Sequence, residues 1–215
     1  MRTVIAGGHG KIALLLARIL RDAGHEPVGL IRDAAQSDDL ESAGAVPLVL
    51  DLEHTTESAV VAALRGADAA VFAAGAGPAS GAARKLTLDR DGAILFGRAA
   101  VAAGVPRLVV VSAIGTDDFD PSSDDVFQVY LRAKSEADAA VRDLPLDWVI
   151  VRPGGLTDDE GTGRVLAGEI VERGSIPRAD VALTIARLLE DGVASRTQFE
   201  LVSGDLPIVD ALRAL

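Results

Sequence analysis

The stretch that decides the fold is Thr3-Val-Ile-Ala-Gly-Gly-His-Gly-Lys-Ile-Ala13. Its first part, Val4 to Ala6, is a short apolar run of the kind found in buried parallel strands. Glycines follow with the spacing Gly7-x-x-Gly10-x-x-Ala13. Beyond them, apolar side chains recur every three or four residues, at Ile12, Leu15, Leu16, Ile19 and Leu20. This stretch therefore predicts a strand, a tight turn and an amphipathic helix.

The glycine turn suits a bound pyrophosphate. Glycines there permit positive φ and let an anion approach the backbone closely, and the free N–H groups and dipole of the helix start favour it. Ala13 replaces a third glycine, which mainly serves close packing of helix on strand. An ordinary strand-to-helix turn is the alternative. The context favours the binding motif, because it follows a strand and opens a helix.

Composition limits the class of protein. The chain has 215 residues, 49% of them hydrophobic, which is enough for one domain with a sizeable core. The net charge of −11 argues against nucleic acid or an anionic membrane as partner, and the scattered acidic residues predict a solvated acidic surface. No apolar run approaches the roughly 20 residues of a membrane span. Because Met1 leads directly into the first strand, we expect no signal peptide and a cytoplasmic protein.

Cysteine and histidine content argue against thiol chemistry and metal sites. The chain has no cysteine, which excludes disulfides, thiol catalysis and thiolate metal sites. The three histidines, His9, His25 and His54, show no metal-ligand spacing. We therefore expect no metal.

A repeated pattern runs through the chain: a helical segment, a glycine, one or two small or polar residues, and a β-branched strand. After the first strand it predicts strands at Glu26–Ile31, Ala45–Leu50, Asp68–Ala74, Arg107–Ser112, Asp147–Arg152 and Gln198–Val202. Long helices are expected at about 124–143 and near 178–191. Alternating strands and helices predict an α/β fold, a single Rossmann-type doubly wound parallel sheet of about seven strands flanked by helices. Ligands then belong at the carboxyl ends of the strands.

No linker divides residues 1–215, so we expect a single domain. Two irregular stretches interrupt the pattern. Residues 115–125 are polar and rich in turn formers, which predicts a loop. Residues 154–177 contain six glycines and alternating apolar residues, which we interpret as an excursion over the cleft containing a small hairpin.

Arg32 stands just after the second strand, about 20 residues beyond the glycine turn. An NAD-selective site favours an acidic residue there to bond the ribose 2′-hydroxyl, whereas arginine suits a 2′-phosphate. We therefore expect NADP(H) to be favoured over NAD(H). A solvent-exposed loop arginine is the alternative, and the following Asp33 is a candidate helix cap.

The ends of the third and fourth strands supply further candidates. Asp51 is placed to accept the adenine amino group while Leu52 packs on the ring; the alternative for Asp51 is a helix-entry turn residue. Ala73, Ala74 and Gly75 are small enough for the backbone to lie against a cofactor, although a plain turn explains them nearly as well.

Tyr130-Leu-Arg-Ala-Lys134 places a tyrosine and a lysine on one helix face. A tyrosine alone has a pKa near 10, and an adjacent ammonium lowers it by favouring the phenolate. Tyr130 could then donate a proton to a carbonyl, or accept one from an alcohol, during hydride transfer. Lys134 is expected to bind the cofactor. A surface pair on a helix is the alternative.

Two more strand ends face the expected cleft. Ser112 ends the fifth strand, where its hydroxyl could orient a substrate oxygen or merely terminate the strand. The sixth strand ends in Arg152-Pro-Gly-Gly-Leu156. Pro153 stops the ladder, and Gly154 and Gly155 allow close approach to a ligand such as a nicotinamide carboxamide. A turn is the alternative.

Together these segments resemble the short-chain dehydrogenase/reductase superfamily. More narrowly, they resemble its atypical branch of small NAD(P)H-binding proteins, which includes flavin/biliverdin reductase-like and NmrA-like members. The matching segments are Gly7–Ile12, Leu30–Arg32, Val111–Gly115, Tyr130–Lys134, Val151–Thr157 and Ile176–Ala182. Ala113 departs from the pattern, because the superfamily often has a second serine there.

The resemblance implies roles for these residues. The pyrophosphate would lie at Gly7, His9, Gly10, Lys11 and Ile12. The 2′-phosphate would lie at Arg32, the adenine at Asp51 and Leu52, and the nicotinamide near Pro153 to Leu156. The superfamily's catalytic trio would be Ser112, Tyr130 and Lys134.

We therefore expect an NADP(H)-dependent oxidoreductase that passes hydride to a small carbonyl, quinone or flavin-like substrate, with Tyr130 as the acid. A non-catalytic NADP(H)-binding redox sensor is the main alternative, and an NAD-dependent sugar epimerase is a third. The expected partner is a small-molecule substrate, and the chain is expected to be a monomer or a homodimer.

Overall fold

A computed structural model describes residues 1–77 and 79–215 of the chain. Its strands are β1 (Arg2–Ala6), β2 (Glu26–Ile31), β3 (Val46–Val49), β4 (Ala69–Phe72), β5 (Arg107–Val111), β6 (Asp147–Pro153), β7 (Gly155–Thr157), β8 (Arg164–Gly168), β9 (Ser175–Pro177), β10 (Thr197–Ser203) and β11 (Leu206–Pro207). The helices are α1 (Lys11–Asp22), α2 (Ser37–Ser42), α3 (Glu57–Leu64), α4 (Ala82–Arg84), α5 (Ala93–Ala103), α6 (Val126–Arg142), α7 (Arg178–Asp191) and α8 (Ile208–Arg213). A 3₁₀ turn (Ala34–Gln36) precedes α2, and a π-helical segment (Lys85–Gly92) joins α4 to α5.

The main sheet has the strand order β11-β8-β10-β6-β5-β4-β1-β2-β3. The seven strands expected from the sequence form one continuous parallel block, from β10 to β3. Strand order reverses between β1 and β4, so the crevice of a doubly wound sheet lies at their carboxyl ends. The predicted α/β fold is confirmed.

The excursion differs from the expected hairpin. Its strands β7 and β9 pair in parallel, with Leu156 opposite Ile176. Strand β8 instead joins the main sheet, antiparallel to β10, and carries β11 beyond it. Side chains along β8 alternate between the two faces of the sheet. Val165 is buried in the core whereas Leu166 is 43% exposed, because only one face of the sheet is covered at this outer strand.

Two apolar layers cover the two faces of the sheet. One layer joins the buried faces of α3, α5 and α6, and centres on residues such as Phe72 and Phe96. The other joins α1, α7 and α8, and includes Leu16 and Phe199. None of the helices in the described ranges is both long enough and apolar enough to cross a bilayer.

The helix starts that border the crevice are set by local sequence. Gly10 is the N-cap of α1 and has no side chain to bond the first-turn N–H groups, which leaves that helix end open to an anion. Asp125 caps α6 by accepting bonds from the N–H groups of Phe127 and Gln128, at 2.9 and 3.2 Å. The stretch 115–125 contains neither helix nor strand, as expected.

Candidate cofactor and active site

A cavity of about 320 Å³ lies at the carboxyl ends of β1, β2 and β4, beside the reversal of strand order. It is the position where a doubly wound sheet binds its ligand. It brings together nine of the residues that the sequence singled out, namely Gly7, His9, Gly10, Arg32, Asp51, Leu52, Ala73, Ala74 and Gly75.

The glycine turn is required by the space around it. Gly7 has φ +76°, and a Cβ atom there would lie 2.6 Å from the Cα of Ala74. A Cβ on Gly8 would lie 2.7 Å from the Cα of Gly29 in β2. The N–H of Gly10 donates to the carbonyl of Gly7 at 2.8 Å, which closes the turn under the start of α1. The turn therefore lies against the backbones of β2 and the segment after β4, and faces the cavity.

Arg32 is exposed on the cavity wall. The neighbouring Asp33 turns away from the cavity and caps the 3₁₀ turn, since its carboxylate accepts a 2.9 Å bond from the N–H of Ala35. The capping role expected for Asp33 is thus confirmed. An arginine at this position on the wall, directly after β2, suits a 2′-phosphate.

Asp51 lines the cavity, but both of its oxygens already accept bonds. One accepts from the N–H of Glu53 and the other lies 2.9 Å from Nδ1 of His54. Partial burial alone would raise the pKa of Asp51. The bonds from His54 and Glu53, together with the charge of Arg32, outweigh burial and lower that pKa. The residue is therefore both a turn residue and an ionised acceptor on the cavity wall.

The remaining residues of the glycine segment have different surroundings. His9 lines the cavity and lies 2.7 Å, through Nε2, from Asp39 of α2. Ile12 is buried in the core beneath the turn. Lys11 points outside the cavity and pairs with Asp158, which follows β7 and also pairs with Arg178 at 2.6 Å.

Tyr130 and Lys134 lie next to this cavity rather than in it. The ammonium of Lys134 is buried, donates a 3.1 Å bond to the carbonyl of Val111, and lies 3.5 Å from Asp89 and 6.0 Å from the centroid of the Tyr130 ring. Asp89 in turn accepts a 3.1 Å bond from the N–H of Ala76 on the cavity wall. The pair and the cavity are thus joined through one buried carboxylate.

The pKa of Tyr130 departs from the expectation. Burial raises this pKa, and the charge of Lys134, which lowers it, is too weak to reverse the effect. The carboxylates of Asp89 and Asp138 raise it further. The expected lowering by Lys134 is therefore wrong for the net shift, because burial, helped by the acidic neighbours, outweighs the ammonium. Tyr130 is a neutral phenol at neutral pH and is able to donate a proton.

Ser112 also departs from the expectation. Its buried hydroxyl donates a 2.8 Å bond to Asp138 instead of facing the cleft. Arg152 donates to the same carboxylate oxygen at 2.9 Å and binds Asp117 through two further bonds of 2.5 and 3.0 Å. This arrangement fixes the end of β5 to α6 and β6. The hydroxyl proton of Ser112 is thus donated to Asp138, and its role in orienting a substrate oxygen stays a prediction.

The glycines after β6 serve chain packing. A Cβ on Gly154 would clash with the backbone of Gly174, and the N–H of Gly155 donates to the carbonyl of Gly174 at 2.9 Å. These glycines therefore allow two parts of the chain to approach closely, and the expected approach of a ligand stays a prediction. Pro153 is the last residue of β6, and Leu156 of β7 is 37% exposed. None of the four residues 153–156 lines the described cavity.

With this geometry in place, comparison with known proteins decides the family. A family model described as NAD(P)H-binding matches residues 7–192. The chain belongs to the NAD(P)H-binding family. It is also similar to an uncharacterized sugar epimerase of Bacillus subtilis, with 35% identity over 216 residues that cover 100% of both chains.

Solved structures agree with membership of the NAD(P)H-binding family. A Bacillus halodurans protein, named only provisionally as a NAD-dependent epimerase/dehydratase, has a TM-score of 0.92 and 37% identity over 100% of both chains. An oxidoreductase from Lactococcus lactis has a TM-score of 0.86 and 25% identity, covering 100% of this chain and 96% of that one. The resemblance to atypical short-chain dehydrogenase/reductases is confirmed, and the chain is an oxidoreductase-like NAD(P)H-binding protein.

The described residues fit the family's cofactor. A Cβ atom at Gly7 would collide with the backbone of the segment after β4, so the turn has to be glycine. No side chain caps the start of α1 at Gly10. The cavity extends from this turn to Arg32 and Asp51. A pyrophosphate at the turn and an adenosine in the cavity suit this NAD(P)H-binding site.

Sequence reasoning missed three charged residues of the site, Glu53, Arg84 and Asp89. Glu53 and Arg84 line the cavity and bond each other, and Asp89 is buried between Ala76 and Lys134. Arg84 directly precedes the π-helical segment and Asp89 lies within it. This helix type is rare, and a 3.6-residue pattern in the sequence does not indicate it. The run Leu86-Thr-Leu-Asp-Arg-Asp-Gly92 has three consecutive charged residues, and its sequence does not indicate that Asp89 is the buried one.

Proposed function

We propose that the chain is an NADP(H)-dependent oxidoreductase that reduces a small carbonyl, quinone or flavin-like substrate. The observation that carries this proposal is the exposed guanidinium of Arg32 on the wall of a cavity that begins at the Gly7–Gly10 turn. An arginine on the cavity wall beside an anion-binding helix start supports a cofactor with a 2′-phosphate.

The cofactor supplies the hydride when it is bound. The chain would supply the proton: Tyr130, with a raised pKa, is protonated at neutral pH and can donate from its phenol oxygen to the substrate oxygen. Val111 and Asp89 hold the ammonium of Lys134 beside the tyrosine ring. There it favours negative charge on the phenol oxygen of Tyr130 as the proton leaves.

A second candidate is a non-catalytic NADP(H)-binding redox sensor. The observation that favours it is the commitment of Ser112 to Asp138, which leaves the proposed proton donor without the expected helper at the substrate oxygen. Such a protein would bind the cofactor tightly and leave it unoxidised.

The sugar epimerase name carried by the Bacillus subtilis relative is less well supported for this chain. Beyond β6, the excursion provides the short pair β7–β9, and β8 is already used by the main sheet. Little chain is left to enclose a nucleotide-sugar. We further propose that the partner is a small molecule, that the chain works as a monomer or homodimer, and that it acts in the cytoplasm.

The test is oxidation of NADPH, followed by its absorbance, across a panel of carbonyls, quinones and flavins with the wild type and Tyr130→Phe. A positioned acid contributes about 10²–10⁴-fold, so the variant should lose that much in kcat while binding NADPH as the wild type does. Equal turnover by both would exclude the tyrosine mechanism. Tight NADPH binding with no oxidation of NADPH in the presence of any panel member would favour the sensor.

A further inference from the structure

An ion pair bridges the adenosine end of the cavity. Arg84, at the end of α4, donates through Nε and Nη2 to one oxygen of Glu53 at 2.9 and 2.8 Å. The other oxygen of Glu53 accepts a 2.7 Å bond from the hydroxyl of Thr87. Glu53 follows β3 and Arg84 follows the segment after β4, and these strands lie on opposite sides of β1 and β2 in the sheet. The pair therefore spans the cavity from one flank to the other.

Glu53 of this pair is held in its ionised form. Burial alone would raise the pKa of Glu53, but the bonds from Arg84 and Thr87 outweigh it and lower the pKa. Glu53 is therefore ionised at neutral pH, and its side chain, only 12% exposed, fixes the guanidinium of Arg84. The planar fork of arginine loses little further freedom once it is held in this way.

The pair leaves part of Arg84 available. Its Nη1 reaches only the carbonyl of Ala76, at 3.4 Å, which is a long hydrogen bond, and its side chain is 30% exposed. Arg84 lines the cavity together with Leu52 and Leu88, which supply apolar surface, and with the ionised Asp51. A planar cation in a cavity that also has apolar side chains on its wall is suited to an aromatic ring with hydrogen-bond acceptors on its edge.

We propose that Arg84 is a base-binding residue of this site: its guanidinium contacts the adenine ring of the cofactor, and Glu53 and Thr87 act as positioning residues that hold it there. This inference rests on the proposed function only for the identity of the ligand as an adenine dinucleotide. The ligand that Arg84 would bind is an adenosine that carries phosphate, and the nicotinamide half of the cofactor makes no contact with Arg84 in this proposal.

The test is a calorimetric titration with two halves of the cofactor, adenosine 2′,5′-bisphosphate and reduced nicotinamide mononucleotide. The proteins are the wild type, Arg84→Lys, Arg84→Met and the control Arg90→Met. Arg90 is matched, because it lies on the π-helical segment that directly follows Arg84, is also 30% exposed and also makes ion pairs, but does not line the cavity. Arg84→Lys keeps the charge and loses the planar fork, and it guards against a variant that fails to fold.

We expect both Arg84 variants to raise the Kd of the bisphosphate about three- to tenfold, as loss of a cation–π contact does, with the mononucleotide and the Arg90 control unchanged. Glu53→Gln should weaken the bisphosphate alone, and in smaller measure. Unchanged bisphosphate binding in Arg84→Met, or equal weakening of both halves, overturns the proposal.

NADPH oxidation by the same proteins separates this inference from the proposed function. Arg84-dependent binding in a protein that oxidises no NADPH overturns the oxidoreductase and leaves the base contact standing. Normal NADPH oxidation, together with bisphosphate binding that does not depend on Arg84, overturns the base contact and leaves the oxidoreductase standing. A wild type that binds neither adenosine 2′,5′-bisphosphate nor NADPH overturns both.

Discussion

Gly7 and Gly24 have nearly the same backbone conformation, with φ of +76° and +80°, yet they differ in the space around them. A Cβ on Gly24 would meet nothing within 4 Å, whereas a Cβ on Gly7 would lie 2.6 Å from the backbone of Ala74. The two positions therefore separate the cost of a left-handed backbone from the cost of a blocked approach between two chain segments.

Alanine at these two glycines should have unequal effects. Gly24→Ala should lower the free energy of unfolding by about 1–2 kcal/mol, the cost of a left-handed alanine, and should leave NADPH binding intact. Gly7→Ala should cost more and abolish NADPH binding, because the segment after β4 must move away from the turn. Urea unfolding and NADPH titration of both variants test this. Equal losses in the two variants would show that the backbone conformation alone makes Gly7 necessary.

Residue roles were predictable where one local motif determines them. The spacing of Gly7 and Gly10 indicated the turn, and the position of Arg32 after a strand placed it on the cavity wall. The environments of Ser112 and Tyr130 depend on Asp138 and Asp89, which other elements bring in, so the direction of the hydroxyl bond and the raised pKa could not be inferred from a four-residue spacing.

Helix α6 carries both Tyr130 and Lys134, and its start depends on a single side chain. Asp125 accepts bonds from two N–H groups of the first turn, while the adjacent Asp124 is exposed. Asp125→Ala should lower the free energy of unfolding by about 1 kcal/mol, the usual cost of a lost cap, and Asp124→Ala should change it by less than half of that. Thermal unfolding of the two variants measures the difference. A neutral effect of Asp125→Ala would mean that tertiary packing alone fixes the start of α6.

At the scale of elements, the sequence predicted most strands well because parallel strands are locally apolar and bounded by glycine. Strand β2 lies at the expected Glu26–Ile31, and α7 at 178–191. The excursion was predicted less well. The pairing of β8 with β10 joins residues more than thirty positions apart, such as Leu166 and Val202, and no turn between them fixes the register. Alternation showed that β8 is a strand but not which strand it pairs with.

At the scale of the whole molecule, the pairing of Glu53 with Arg84 on the cavity wall couples stability to pH. The folded-state pKa of Glu53 is lowered, so its pairing with Arg84 stabilises the fold above the ordinary glutamate pKa of about 4.3. That stabilisation is lost as the pH falls through the lower folded-state pKa. The unfolding free energy of wild type minus that of Glu53→Gln should therefore be positive at pH 7 and shrink below about pH 4.3. Urea unfolding at several pH values measures it, and a difference that stays constant with pH would contradict the assigned pairing.

The most direct measurement is a fluorescence titration of NADPH and of NADH into the wild type, Arg32→Ala and the control Arg18→Ala, an exposed arginine on α1 that does not line the cavity. We expect the wild type and the control to prefer NADPH, and Arg32→Ala to weaken NADPH binding at least tenfold without weakening NADH binding. Equal affinity of the wild type for both cofactors, or a preference for NADPH that survives Arg32→Ala, would contradict the assignment of Arg32 to the 2′-phosphate.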